Sequence, residues 1–493
     1  MGSAWFIFNG CKINLITFGA DSPDMFGPIR KRYCRVPTAI LFSRMEKAFL
    51  MKQNSATWEN EKGVAFTRLC DLPLIRLGLV IKTRITVELG KTFLIKRTIQ
   101  ATNSEIMTVS WLPCKANPLG IATLSLGNWR EHGLEPRLKA AAKSGYQCID
   151  LFDECWAAYL EEHGLPGDQL WEPTAENLHV ARKLARVVKS LGLRVACTQP
   201  LRNIEGIKDP VERQAAFDLV AKRFPFMRAF DTDLVFMCAN VRTDEGVTSD
   251  LKRVARDLAE MGDMAATYAK ADGGRMLKIG YEGLSWATRN TWSASWEAVR
   301  FANRPNVGLI VDAFNILAVE FADPYNVAGH GRIHPTLEES LDVLTGSLAS
   351  LVSTVPGDQI FFFQCGDAEL MNPTTFLPST DPESPALLPW SRSHRLYPLE
   401  KSRGAYMPVE LVTAAVLATG YLGPVSLEVF NASLNQPGEM VPAEHASRGI
   451  NGLHLLCETA KSIPAFWQSH GERKNAITQV VRRLQSDEDK HKL

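Results

Sequence analysis

Residues 307–315 read VGLIVDAFN. A short apolar run rich in β-branched residues suits a strand buried on both faces, the kind found in parallel sheets. Asp312 closes the run where such a strand would leave the core. The same pattern recurs three times. LKIGY is followed by Glu282, IFFF by Gln364 and VSL by Glu428. Working outward from these, apolar runs at 120–126, 148–154, 194–200, 233–240, 276–284, 307–315, 359–368 and 424–431 predict strands. Between and after them, segments with the spacing of amphipathic helices occupy 135–144, 174–191, 209–230, 250–271, 291–302, 336–352, 408–419 and 443–460. Strict alternation of this length predicts an α/β fold in which the sheet closes as a (β/α)8 TIM barrel. An open doubly wound sheet is the alternative, but no G-x-G-x-x-G follows the first strand to support nucleotide binding.

The 45% apolar and 22% charged residues describe an ordinary globular chain with a sizeable core. Basic and acidic residues number 55 and 54, so no global field points to nucleic acid as a partner. The ten cysteines are scattered without a C-x-x-C pair, as expected of reduced thiols in a cytoplasmic protein. No apolar run is long enough to span a bilayer, and no secretory signal opens the chain. A small-molecule substrate and a homo-oligomer are both left open.

The predicted organisation is a basic N-terminal extension at 1–106, a barrel at 107–465 and a charged, solvated tail at 466–493. The extension carries 16 Lys plus Arg against 8 Asp plus Glu, with one or two strands expected within 72–98. It reads as a disordered segment or a gene-model artefact, with a regulatory or oligomerisation segment as the competing view. A Pro- and Ser-rich insertion at 372–404 follows the seventh strand, where a long loop over a barrel mouth serves as a lid or clamp.

Barrel enzymes carry their reacting groups at the C-terminal ends of strands. Glu282, Asp312, Gln364 and Glu428 occupy that position on four strands. Their carboxylate and amide oxygens suit a hard divalent cation such as Mg2+ or Mn2+, and the absence of His or Cys argues against structural zinc. For each taken alone, a helix cap or a partner for a nearby Arg is the more common reading. Three buried carboxylates together call for a cation or for protonation.

Several motifs resemble those of a known family. They are IATLSLG at 121–127, IDLFDE at 149–154, QPLRNIEG at 199–206, YEGLSW at 281–286, VDAFNI at 311–316, QCGDAEL at 364–370, PWSRSHRLYP at 389–398, RGAYMPV at 403–409 and VSLEVFN at 425–431. Over the whole barrel the chain is similar to the fungal and bacterial 3-dehydroshikimate dehydratases, which are xylose-isomerase-like barrels. The resemblance implies metal ligation by Glu282, Asp312, Gln364 and Glu428, with Mg2+, Mn2+ or Co2+ as the ion. It also implies loss of water from 3-dehydroshikimate to give protocatechuate in quinate and shikimate breakdown. A carboxylate-bearing substrate needs a guanidinium, and Arg202, Arg392 and Arg395 are the candidates. Asp367 could orient a water or a neighbouring Arg, or simply cap a helix. The resemblance implies a His shortly after YE-x-L-x-W, where this chain has Arg289; His334, and less so His330, could supply an imidazole instead. A sugar isomerase or epimerase on the same metal site, or an inactive relative, are the competing readings. A DNA-repair nuclease would need several His ligands and a basic face.

Overall fold

The computed structural model describes residues 4–9, 12–17, 95–97, 117–381 and 384–463, with 474, 477, 478 and 480–482 further on. The chain divides into two compact units, Met1–Ser110 and Trp111–Leu493. In the first, Ala4–Asn9 pairs antiparallel with Lys12–Thr17 on one side and Ile95–Arg97 on the other. Ile95–Arg97 falls within the stretch read as strand-forming. The rest of the extension, and most of the expected tail, lies outside the described residues.

In the second unit, β1 (Leu119–Ala122), β2 (Cys148–Phe152), β3 (Arg194–Leu201), β4 (Leu234–Cys238), β5 (Lys278–Glu282), β6 (Val307–Asp312), β7 (Ile360–Cys365) and β8 (Val425–Leu427) form a closed parallel barrel. Neighbours in sequence are neighbours in the barrel, and β8 closes it by pairing with β1. Helices follow the strands because their caps are written into the sequence. Thr174, Asp209, Asp250, Thr291 and Thr336 each accept a hydrogen bond from a backbone N–H in the first turn of the helix that follows. Each such cap stabilises its helix by about 1 kcal/mol.

Most predicted strands stop short of their expected bounds, two of them where a helix starts on an acidic residue. The run at 307–315 ends at Asp312 because its Oδ1 accepts the Phe314 N–H at 2.8 Å and starts the helix Ala313–Glu320. The run at 148–154 ends at Phe152, where the helix Asp153–Glu162 begins on two acidic residues suited to a helix N-terminus. Beyond the barrel, Val480 is buried, and Ile477 and Val481 pack against the core, so this part of the expected solvated tail is apolar packing.

Period-two alternation turns every second strand residue into the barrel. Leu234, Phe236, Ile310 and Phe362 belong to one apolar cluster there. Gly280 and Gly308, paired in register, make room for large neighbours; a methyl at Gly308 would stand 2.6 Å from the Phe361 ring. One step further toward the C-terminal ends of the strands, the inward positions turn polar. No helix among the described residues is long and apolar enough to cross a membrane. Cys148, Cys155, Cys197, Cys238, Cys365 and Cys457 are buried and unpaired.

The helix Val441–Lys461 carries the buried His445, 3.1 Å from the Tyr397 hydroxyl, which in turn donates to the Ser125 carbonyl at 2.6 Å. Burial, reinforced by Arg448 and Arg403, holds this imidazole down from 6.5 to about 3. The unfolded chain therefore takes up a proton near pH 6.5 that the folded protein refuses, and stability falls as pH drops from there toward 3. Replacing His445 with Gln should flatten that acid limb in urea unfolding followed between pH 7 and pH 4; an unchanged slope would remove His445 as its source.

Candidate metal centre and substrate mouth

The four strand-end residues come together. Glu282, Asp312 and Gln364 end or nearly end β5, β6 and β7, and Glu428 directly follows β8. All four are buried. Strand register accounts for the grouping: Gln364 lies opposite Asp312 on one side and Ser426 on the other. The Arg395 Nη1 donates to Asp312 Oδ2 at 2.9 Å and to Glu428 Oε2 at 3.2 Å. Asn315 Nδ2 donates to Glu282 Oε1 at 3.0 Å and Asp312 Oδ2 at 2.8 Å. Glu282 Oε2 is met by the Cys238 thiol at 3.4 Å, and Gln364 Nε2 donates to Glu428 Oε1 at 3.2 Å. Gln364 Nε2 also approaches Asp150 Oδ2 at 3.4 Å and Gln199 Oε1 at 3.5 Å, across the barrel interior.

Charge governs this cluster. Burial pushes the Glu282 carboxyl well above its usual range, and Asp312 and Glu428 push it further. Asp312 and Glu428 are raised by burial too, with Arg395 opposing. When all three carboxylates are ionised they carry three negative charges against the one guanidinium bonded to them, that of Arg395, a deficit of two among the groups in direct contact; Arg392 acts on Glu428 without a bond to it. Glu282 contacts only neutral donors. Gln364 Oε1 is buried with no hydrogen-bond partner. Oxygen donors, an orphaned amide oxygen and a deficit of two fit a hard dication. As the side chains stand, no three His, Cys, Asp or Glu groups among the described residues converge tightly enough to hold an ion. The spacing between Asp312 and Glu428 is the one dictated by the guanidinium that bridges them.

Beside the carboxylates lies an aromatic and cationic mouth. Phe152 and Phe430 meet edge to face at 5.9 Å. The Arg202 guanidinium lies 5.7 Å from the Phe152 ring, and that of Arg392 lies 4.2 Å from the Phe430 ring. Arg202 pairs with Glu154 at 3.1 Å. Arg392 is open to solvent yet recessed; burial lowers its pKa, Glu428 opposes, and Arg395 and Arg202 add to the lowering. Arg395 sits deeper, its Nε and Nη2 on Ser391 Oγ at 3.2 and 3.0 Å and its guanidinium 3.9 Å from the Phe314 ring. The insertion brings both Arg392 and Arg395 here through the short helix Leu388–Ser393 and a two-residue ladder between Arg395–Leu396 and Asp367–Ala368.

Three further residues singled out as catalytic candidates, Arg289, His334 and Asp367, make no hydrogen bond or ion pair with this cluster. Arg289 donates to the carbonyls of Ala294 and Ser249 and pairs with Glu297, bracing the start of a helix. His334 lies 3.6 Å from Glu339 on the next helix. Asp367 is buried and accepts the backbone N–H groups of Ala368, Leu399 and Met407, so it shapes the insertion. His330 accepts from the Arg332 N–H. Sequence reasoning missed Asn315, Cys238 and Asp150. Asp150, pushed by burial up to about 7 and held by Ser426 Oγ at 2.9 Å, had a signal: a charge in the middle of an apolar strand. Asn315 had one as well, since three residues after Asp312 on a helical turn puts both on one face.

Residues 138–451 match the family model of the xylose isomerase-like TIM barrel. A protein of Neurospora crassa named 3-dehydroshikimate dehydratase is 32% identical over 337 residues, covering 67% of this chain and 91% of the relative. A Pseudomonas aeruginosa protein of the same name is 30% identical over 338 residues, covering 68% of this chain but only 40% of that longer relative. Among solved structures, a fusion of a xylose isomerase-like TIM barrel with 4-hydroxyphenylpyruvate dioxygenase superposes with a TM-score of 0.50 at 28% identity, over 70% of this chain and 43% of that one. The chain belongs to the xylose isomerase-like TIM barrel family, in the branch whose named relatives are 3-dehydroshikimate dehydratases.

Proposed function

We propose that this protein removes water from 3-dehydroshikimate to give protocatechuate, using a divalent cation held by Glu282, Asp312, Gln364 and Glu428. The observation that carries the reading is the charge deficit of two at four oxygen-donor side chains closing one barrel mouth. A dication there would supply electrophilic polarisation of a substrate carbonyl, which acidifies the neighbouring C–H. The chain's own residues then have distinct tasks. Arg392 and Arg202 face the mouth and offer guanidinium forks to the ring carboxylate, with Arg395 behind them. Phe152 and Phe430 form an apolar wall for the substrate ring beside the two cations. Gln364, with its Nε2 donating to Glu428, leaves Oε1 free to turn toward the ion. Loss of water from this substrate ends in an aromatic ring, which draws the reaction forward. The buried, unpaired thiols support a reducing, cytoplasmic setting.

Chelator-stripped protein should lose turnover of 3-dehydroshikimate and regain it with Mg2+, Mn2+ or Co2+. Glu282→Gln should cost about 10²–10³-fold in kcat/KM, as expected when one electrostatic group of a catalytic centre is removed. Product absorbance is the readout. Full activity after chelation, or no turnover with any ion while a keto-sugar is epimerised, would overturn the assignment. Arg392→Ala should raise KM on the order of 10- to 100-fold with a smaller change in kcat, the loss of one charged hydrogen bond. An unchanged KM would remove Arg392 from carboxylate binding.

A further inference from the structure

Asn315 stands in the first turn of the helix Ala313–Glu320, buried and in contact with two of the three carboxylates. An amide nitrogen carries two hydrogens, and here each has a partner: Glu282 Oε1 at 3.0 Å and Asp312 Oδ2 at 2.8 Å. The amide oxygen is committed as well, accepting the Ser285 N–H at 3.0 Å. That third bond fixes which end of the amide faces the carboxylates, because a flipped amide would aim oxygen at two anions and leave the Ser285 N–H without its acceptor. Ser285 lies three residues beyond Glu282, and Asn315 three residues beyond Asp312. One side chain therefore ties the ends of β5 and β6 to each other and to the loop that leaves β5.

We infer that Asn315 is a positioning residue, whose amide nitrogen gathers one oxygen of Glu282 and one of Asp312 around a single point and so limits how far the two must move to share one cation. This rests on the metal-dependent reading above. The physical need is plain. Two buried carboxylates without an intervening donor repel, and each would rotate toward whatever polar atom lies nearest. Arg395 cannot prevent this for Glu282, since its Nη1 bonds are to Asp312 and Glu428. The amide brings the two anions together without contributing a charge, so the deficit of two is kept for the incoming ion. A guanidinium or ammonium at the same place would cancel part of it. Partners that orient ligands in this way are worth about 10- to 100-fold in metal affinity.

The test is binding of Mn2+ alone to the full-length, chelator-stripped protein, followed by the disappearance of the free-ion paramagnetic resonance signal. Thermal melts of the metal-free proteins run alongside. Wild type, Glu282→Ala and Asn315→Leu are compared, the last keeping side-chain volume and removing the amide. The expected result is that Asn315→Leu weakens Mn2+ binding about 10- to 100-fold while the protein remains folded. If that variant does not fold, Asn315→Ser, which keeps one short donor, is measured the same way and should also bind more weakly than wild type. A variant with a lower melting temperature but wild-type Mn2+ affinity would show Asn315 to be structural only and overturn the inference. Wild type that binds no Mn2+, or binds it equally well with Glu282→Ala, would instead overturn the underlying metal reading.

Discussion

Everything at the mouth of this barrel depends on the repulsion among three buried carboxylates. Glu282, Asp312 and Glu428 are each nearly sealed from water, and a carboxylate in that setting is costly unless something answers its charge. The fold answers part of it. Arg395 bridges Asp312 and Glu428, Asn315 bridges Glu282 and Asp312, and Gln364 donates to Glu428. With all three ionised, what remains among the groups in contact is a deficit of two charges, and Gln364 Oε1 is unpartnered. A stability-driven core would have replaced such a group with apolar side chains, as the layer around Phe236, Ile310 and Phe362 shows a few residues away. A cluster kept at this cost points to binding.

The insertion after β7 gains its meaning from that constraint. It delivers Arg395, which has to be rigid because it serves two carboxylates, and it is made rigid by the Ser391 hydroxyl, the Phe314 ring and the short ladder to Asp367–Ala368. Asp367 spends its carboxylate on three backbone N–H groups of the same region. Arg392, three residues before Arg395, keeps its guanidinium open toward the mouth. One segment thus supplies a structural cation to the carboxylates and a free one to the entrance. The residues of the insertion that border the carboxylates are tied to the barrel by these contacts.

The barrel was legible in the sequence because each strand is a compact apolar run and five of the helices between them open on a Thr or Asp cap. The four strand-end residues were legible for the same reason: a polar side chain closing a buried strand stands out against the apolar run that leads to it. What was not legible were the partners. Arg289 and Asp367 are engaged by hydrogen bonds to nearby backbone and His334 lies near Glu339, local contacts that leave no periodic trace in a sequence. Cys238 acts across strands adjacent in space, opposite Glu282 in register, and only the closed sheet reveals it; the spacing of Asn315 from Asp312 could have been read, but not its bond to Glu282 on the neighbouring strand. The strand boundaries at Phe152 and Asp312 moved because acidic residues there start helices, a choice that apolar periodicity does not record.

The central claim is that these four side chains share one cation. Crystals soaked in Mn2+ and measured for anomalous scattering test it most directly. The account predicts one strong peak with oxygen atoms of Glu282, Asp312, Gln364 and Glu428 at about 2.0–2.3 Å, within the range for hard divalent ions on oxygen. A soaked crystal with no peak at the mouth, or with the ion elsewhere while Arg395 still bridges Asp312 and Glu428, would contradict it.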